Sequence, residues 1–267
     1  MDFLYLKGKQ KIMDNEIMVY VLAHKTPPYG LIYDDWHCPL QVGAALSKED
    51  VCELKDNNGD NISRYNSFFC ETTGHYWIWK NVRKSNFVGV EHYRRHFDLE
   101  KDEVLDILKE YDIILPKSLL MNISVERQYE LCHIPEDIHK VEEIISKLYP
   151  DYVEDYEKYI KNGNKLYCAN CYITSWEKFN KMNEFVFNIL FEMWKEYGYT
   201  TIEDWHKHVL ESNKQSVPDY HEKNGCTWDI YQTRIGGGVA ERLNTLYVMH
   251  NFKNIFERDL KTLGKSV

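Results

Sequence analysis

Asn86-Phe-Val-Gly-Val-Glu-His-Tyr-Arg-Arg-His-Phe-Asp98 is the stretch whose reading decides the fold. Phe87 to Val90 form a short apolar run of the kind found in a strand buried on both faces, and the chain then turns at once into Glu91, His92, Tyr93, Arg94, Arg95 and His96. In an open α/β sheet, ligands bind in the crevice outside the carboxyl ends of the strands. Ionisable side chains clustered there read as a site for an anion, and paired arginines suit a phosphate or pyrophosphate, because each planar guanidinium makes two charge-assisted hydrogen bonds at once. The competing reading is an Arg/Glu surface network at a strand exit.

Moving outward, the apolar positions Tyr65, Phe68, Phe69, Thr72, Tyr76 and Trp79 recur at helical spacing and predict an amphipathic helix over 64–80. The turn cluster Asp56-Asn-Asn-Gly-Asp-Asn-Ile-Ser63 precedes it, with Asn61 or Ser63 as its cap. Asp60, Asn61 and Arg64 at this helix start are candidates for binding an anion or sugar hydroxyls; a plain capped turn is the alternative. Further upstream, Ile17-Met-Val-Tyr-Val-Leu-Ala23 reads as the first buried strand. His24 and Lys25 stand at its carboxyl end, a second coincidence of polar side chains with the same sheet edge. Downstream, a helix over 102–110 and a strand over 111–115 complete an alternation of strands and helices, which predicts βαβ units and a mainly parallel sheet. Helical pieces over 124–132, 135–148 and 151–161 read as an insertion, about residues 122–162.

Composition bounds the function. A chain of 267 residues with 43% hydrophobic residues is long enough to bury a proper core as one large domain. A formal charge of -9 argues against a protein that coats nucleic acid, so any anion site must be local. Twenty Tyr and seven Trp suit a carbohydrate or nucleotide cleft as well as a core. No run approaches the roughly 18 apolar residues that span a bilayer, and the opening residues lack the pattern of a signal peptide; the expectation is a cytoplasmic protein. Residues 1–16 read as a lead-in, 17–250 as a single domain and 251–267 as a basic, helical tail. Cys168-Ala-Asn-Cys171 is formally C-x-x-C, but a second pair of ligands for zinc is missing, and a strand read over 165–174 would place the two thiols on opposite faces. A redox or zinc protein is therefore a minor alternative.

Two further features bear on chemistry. Asn170 lies inside the apolar run Lys165 to Thr174, where a buried amide must find partners, either a ligand hydroxyl or the backbone. Ser175 then caps a long helix reaching Tyr197. Near the end, Gly236, Gly237 and Gly238 predict a loop whose amides approach a ligand closely, followed by a helix carrying Glu241 in its first turns. A carboxylate beside such a loop can act as a general base; macrodipole compensation is the alternative.

Together, Gln41-Val-Gly-Ala-Ala-Leu46, the 56–63 turn, Glu71-x-Thr-Gly-His-Tyr-Trp-Ile-Trp-Lys-Asn81, Val88 to Phe97 and Arg234-x-Gly-Gly-Gly-Val-Ala-Glu-Arg-Leu243 resemble a bacterial family of capsular and exopolysaccharide glycosyltransferases. That family was long called a domain of unknown function and is linked to β-galactofuranosyl transfer; the likeness spans about residues 17–250. It implies a GT-A-like Rossmann-type α/β fold, a nucleotide diphosphate sugar as donor (a UDP-sugar first), and a glycan or lipid-linked acceptor at the inner membrane face. An inverting reaction follows, with Glu241 as first candidate for base and Asp229 as second. His24, Lys25, Asp60, Asn61, Arg64, Glu91, His92, Tyr93, Arg94, Arg95, Asn170, Gly237 and Gly238 are the residues expected at the donor or sugar. The Asp-x-Asp that holds manganese or magnesium in most such enzymes is missing from the chain, and Glu91-His92-Tyr93-Arg94-Arg95 stands in its place. Either the arginines neutralise the diphosphate directly, the preferred expectation, or Glu91 and His92 hold a metal. A non-catalytic nucleotide-sugar or glycan-binding module is the main alternative.

Overall fold

The computed structural model describes residues 16–82, 85–212 and 232–263. Its strands in chain order are β1 (Ile17–Ala23), β2 (His37–Gln41), β3 (Phe87–His92), β4 (Arg95–Phe97), β5 (Ile113–Pro116), β6 (Leu119–Leu120), β7 (Lys165–Leu166), β8 (Tyr172–Ser175), β9 (Ile255–Arg258) and β10 (Leu260–Thr262). The helices are α1 (Asn66–Phe69), α2 (Thr72–Asn81), α3 (Lys101–Glu110), α4 (Val125–Cys132), α5 (Pro135–Leu148), α6 (Val153–Tyr156), α7 (Trp176–Glu196), α8 (Ile202–Glu211) and α9 (Ile235–Asn251). The main sheet runs β2-β1-β3-β8-β5-β9, with β4 and β10 added at the carboxyl end of β3. Strands β1, β2, β3, β5, β9 and β10 point one way and only β4 and β8 run against them, so the sheet is mainly parallel and flanked by helices.

Period-two alternation divides the core. Met18, Tyr20, Leu22, Val88 and Val90 face the helical layer that includes α2, α7 and α9, whereas Ile17, Val19 and Ile173 face Phe97 and α3. All seven residues of β1 are buried, as its unbroken apolar run requires when both faces are covered. Ser175 caps α7 by accepting from the Lys178 amide.

Three local expectations fail, and two of them shape the cleft. The helix expected over 64–80 is broken at Cys70, whose φ of 53° is left-handed, so that α1 ends and Glu71 becomes the residue that opens α2. The strand expected over 165–174 survives only at its two ends, because Ala169 (φ 76°) and Asn170 (φ 49°) turn the chain between β7 and β8. The segment after Asn251 is not helical: β9 lies beside β5, and β10 closes on β4.

Candidate functional site

Strands β1 and β3 lie in parallel register, Leu22 beside His92, so their carboxyl ends open at the same place. A cleft lies there in two lobes. The smaller, about 310 Å³, lies among Leu22, His24, Val42, Asn66, Tyr93 and Thr233. The larger, about 460 Å³, reaches Arg95, Gln128, His133, Ala169, Gly238 and Glu241. Cys70, Glu71, His92, Arg94 and Arg234 line both, which makes the two lobes one continuous site.

One wall is cationic and comes from the strand ends. Arg94 in the β3–β4 turn and Arg95 at the start of β4 have exposed side chains, and among the described residues neither forms an ion pair with a carboxylate. Arg94 lies 5.2 Å from the Tyr93 ring centre, and the Tyr93 ring meets His24 edge-on at 5.3 Å. Loss of solvent on its inner side, then Arg234, Lys25, Arg94 and His92, push His24 down to about 4, so its ring is neutral at physiological pH. Burial also lowers His92; Glu71 opposes this and the arginines reinforce it.

The opposite wall is helical. Gly236, Gly237 and Gly238 form not a loop but the first turn of α9, and this turn rests on the α1–α2 break. A Cβ on Gly236 would fall 2.6 Å from a Phe68 ring carbon and 2.8 Å from the Phe68 carbonyl oxygen, and one on Gly237 would fall 3.1 Å from the Cys70 Cβ. The triplet is therefore explained first by close helix packing, although Gly237 and Gly238 do line the larger lobe. Asn170 is buried behind the same contact. Its amide donates to Glu71 Oε1 (2.8 Å) and to the Gly237 carbonyl (3.1 Å), and its oxygen accepts from Asn244 (2.8 Å). Both donors of its amide and its oxygen are thus engaged by protein, and the amide holds Glu71 in place.

Two carboxylates face the larger lobe. Glu241 Oε1 accepts from the Ala169 amide at 2.6 Å, and Oε2 pairs at 3.2 Å with Arg242, a buried side chain that also donates to the Gly238 carbonyl and to Gln128. Burial raises Glu241 above the ordinary glutamate value despite Arg242 and the Ala169 amide. Burial alone would also raise Glu71, but His92 and the Asn170 amide outweigh it and hold Glu71 below the ordinary value.

Other expected residues lie elsewhere. Glu91 continues the Phe87–Gly89 face of β3, opposite His92; it is 1% exposed and accepts from the Phe97 amide at 2.8 Å. It staples the turn bearing Arg94 and Arg95 from beneath. Asp60 and Asn61 sit in a turn held to the far end of α2: Asp60 exchanges hydrogen bonds with Asn81 and accepts from Tyr76, and Asn61 donates to the Gly59 carbonyl. At about 1.5 Å per residue, the length of α2 separates that turn from Glu71, and Arg64 is exposed beside it. Lys25 is exposed one residue past His24, and Asp229 falls outside the described residues. Cys168 and Cys171 are free thiols on the 167–171 turn, raised by burial and so poorly nucleophilic.

The end of β3 does not fit a resident divalent cation held by Glu91 and His92, since the two side chains leave opposite faces of the strand and Glu91, with Oε1 on the Phe97 amide and Oε2 3.9 Å from His37, is buried away from His92. Among the described residues, three potential ligands converge only at Glu126, Glu130 and His139, where Glu130 already pairs with Arg127 and His139. Sequence reasoning assigned no role to Glu71 or Arg234. The available signal was that each stands beside a motif, Thr72-Thr-Gly-His75 and Gly236 to Gly238, that helix periodicity alone did not require.

Comparison with known proteins gives two matches. The family described as Domain of unknown function (DUF4422) matches residues 18–211. The apo structure of WbbM, a bifunctional glycosyltransferase, superposes with a TM-score of 0.73 at 21% identity over 94% of this chain and 46% of that one. The chain thus spans about half the length of the structure it resembles, and the likeness is one of fold. No curated protein matches.

Proposed function

From the premise that the chain belongs to the DUF4422 family, we propose that it is a glycosyltransferase taking a sugar from a nucleotide diphosphate donor to a glycan acceptor, with inversion at the anomeric carbon. The observation that carries this reading is the cleft itself: Arg94 and Arg95, without carboxylate partners among the described residues, on the strand-end wall, facing carboxylates on the helical wall. The nucleotide occupies the smaller lobe between His24, Val42 and Asn66. Its diphosphate lies against Arg94, Arg95 and Arg234, and the sugar points into the larger lobe, where the acceptor enters. Guanidinium groups aimed at the departing diphosphate stabilise charge that grows in the transition state, the most effective place for such donors.

The sugar proposed first is galactofuranose, carried as its UDP derivative, with capsule or exopolysaccharide as the product; this rests on the motif resemblance. The test is release of UDP from a panel of UDP-sugars, with and without manganese. Turnover independent of added metal supports the arginine-based reading, and strict manganese dependence overturns that part. Binding of UDP-sugars without release of UDP would make the chain a binding module instead.

A further inference from the structure

We infer that Glu71 is the general base of this site and that Asn170 is the positioning residue that aims it. The inference rests on the glycosyltransferase reading and departs from the sequence, which pointed to Glu241. Glu71 lines both lobes, whereas Glu241 lines the larger one alone. A base must reach the acceptor hydroxyl while that oxygen attacks a carbon attached to the diphosphate, so it belongs where donor and acceptor lobes meet.

The hydrogen bonds point the same way. Both oxygens of Glu241 are occupied, one by the Ala169 amide and the other by Arg242. Glu71 Oε1 accepts from Asn170 and lies 3.9 Å from His92 Nε2, whereas among the described residues no neighbour donates to Oε2, and the side chain is 18% exposed. A Cβ on Gly237 would stand 3.8 Å from that Oε2, so the glycine leaves room beside the reactive oxygen. The left-handed Cys70 turns Glu71 out of what would otherwise be a helix interior, and the left-handed Ala169–Asn170 turn brings the amide that holds it. Two unfavourable backbone conformations converging on one carboxylate are the kind of local strain that clusters at functional sites.

The step balances. The acceptor O–H bond breaks as its proton passes to Glu71 Oε2, the acceptor oxygen forms a bond to the anomeric carbon, and the bond from that carbon to the phosphate oxygen breaks, its electron pair leaving with the nucleoside diphosphate. The proton returns to solvent after the product departs.

Charged and titratable groups facing Glu71 are His75 on α2, His92 on β3, Arg94 and Arg95 on the turn, and Arg234 and Glu241 on the α9 side. Burial would raise Glu71, but His92, the Asn170 amide and His75 outweigh it and hold Glu71 below the ordinary glutamate value, whereas Glu241 is a like charge that opposes them. Activity limited by Glu71 therefore falls only below the ordinary glutamate range. Activity limited by Glu241 would already be lost, as pH falls, above the ordinary glutamate value.

The experiment compares the parent chain with Glu71→Gln, Glu71→Ala, Glu241→Gln and Asn170→Ala. It measures UDP affinity by calorimetry, initial rates with a UDP-sugar that the parent turns over, and the pH profile of those rates. Glu71→Gln is expected to lower turnover about 10²- to 10⁴-fold while still binding UDP, which also establishes that the variant is folded. Azide has no proton to lose, so with azide as acceptor Glu71→Ala should regain UDP release and form the glycosyl azide. Asn170→Ala should move the acid limb of the profile to higher pH. Full turnover in Glu71→Gln, or an acid limb that moves with Glu241→Gln alone, overturns the assignment and leaves the glycosyltransferase reading standing. A parent chain that binds UDP yet turns over no UDP-sugar overturns both.

Discussion

The two walls of the cleft are built in opposite ways. On the strand-end wall, Arg94 in the β3–β4 turn and Arg95 at the start of β4 are exposed and without carboxylate partners among the described residues; on the helical wall, Glu241 is tied to Arg242 and the Ala169 amide, and Asn170 to Gly237 and Asn244. The helical wall is held largely by its own hydrogen bonds, whereas the guanidinium groups of the strand-end wall have no carboxylate partner among the described residues. Substitutions on the first should therefore be felt in stability, and substitutions on the second in binding.

The sharpest test of that contrast is the double variant Arg94→Ala with Arg95→Ala. At about 1.5–3 kcal/mol for each charge-assisted hydrogen bond, it should weaken UDP binding by about 3–6 kcal/mol in calorimetry, with thermal stability changed by no more than about 0.5 kcal/mol. An unchanged affinity would break the comparison. Gly236→Ala should do the reverse. Helix propensity favours alanine by up to about 1 kcal/mol, but the new Cβ would press on the Phe68 ring and carbonyl. A net loss of about 1–3 kcal/mol is expected, read as a melting temperature lower by about 2–4 °C per kcal/mol.

Glu91 extends the comparison to pH. Burial pushes it up to about 8, so the folded chain holds a proton that an unfolded glutamate, near 4.5, has released. Its contribution to stability is complete below about pH 4.5 and is lost as pH rises toward 8, by about 1.4 kcal/mol per unit at most. Glu91→Gln should accordingly lose less stability than the parent between pH 5 and pH 8 in paired denaturant titrations; parallel curves would refute this. The smallest effect belongs to Arg64→Ala, exposed beside the 56–63 turn. UDP affinity should be unchanged, and any measurable loss would return that turn to the binding site.

Much of the frame was legible because its signals are long and periodic. The unbroken apolar run of β1, the change from apolar to charged residues across β3 and the aromatic stripe of α7 each admit one economical reading. The cluster of charged residues at the end of β3 followed from the same reasoning. The helical wall was not legible for a definite reason: Tyr65, Phe68, Phe69, Thr72 and Tyr76 keep helical spacing through Cys70, although the backbone there is left-handed. What imposes the break is contact with α9, about 165 positions later, and no local pattern encodes a partner so distant. Ala169 and Asn170 hide for the same reason, since neither residue type announces a left-handed turn inside an apolar run.

The seating of the α9 glycines on Phe68 also bears on how the chain can be divided. The family match ends at residue 211, yet Arg234, Gly237 and Glu241, together with the strand that borders β5, come from beyond it. A fragment cut there would keep the arginine turn but expose the Phe68 ring to water and leave Asn170, which holds Glu71, without the Gly237 carbonyl and the Asn244 amide. The matched segment is accordingly not a unit of assembly, because the cleft is complete only with the last long helix in place.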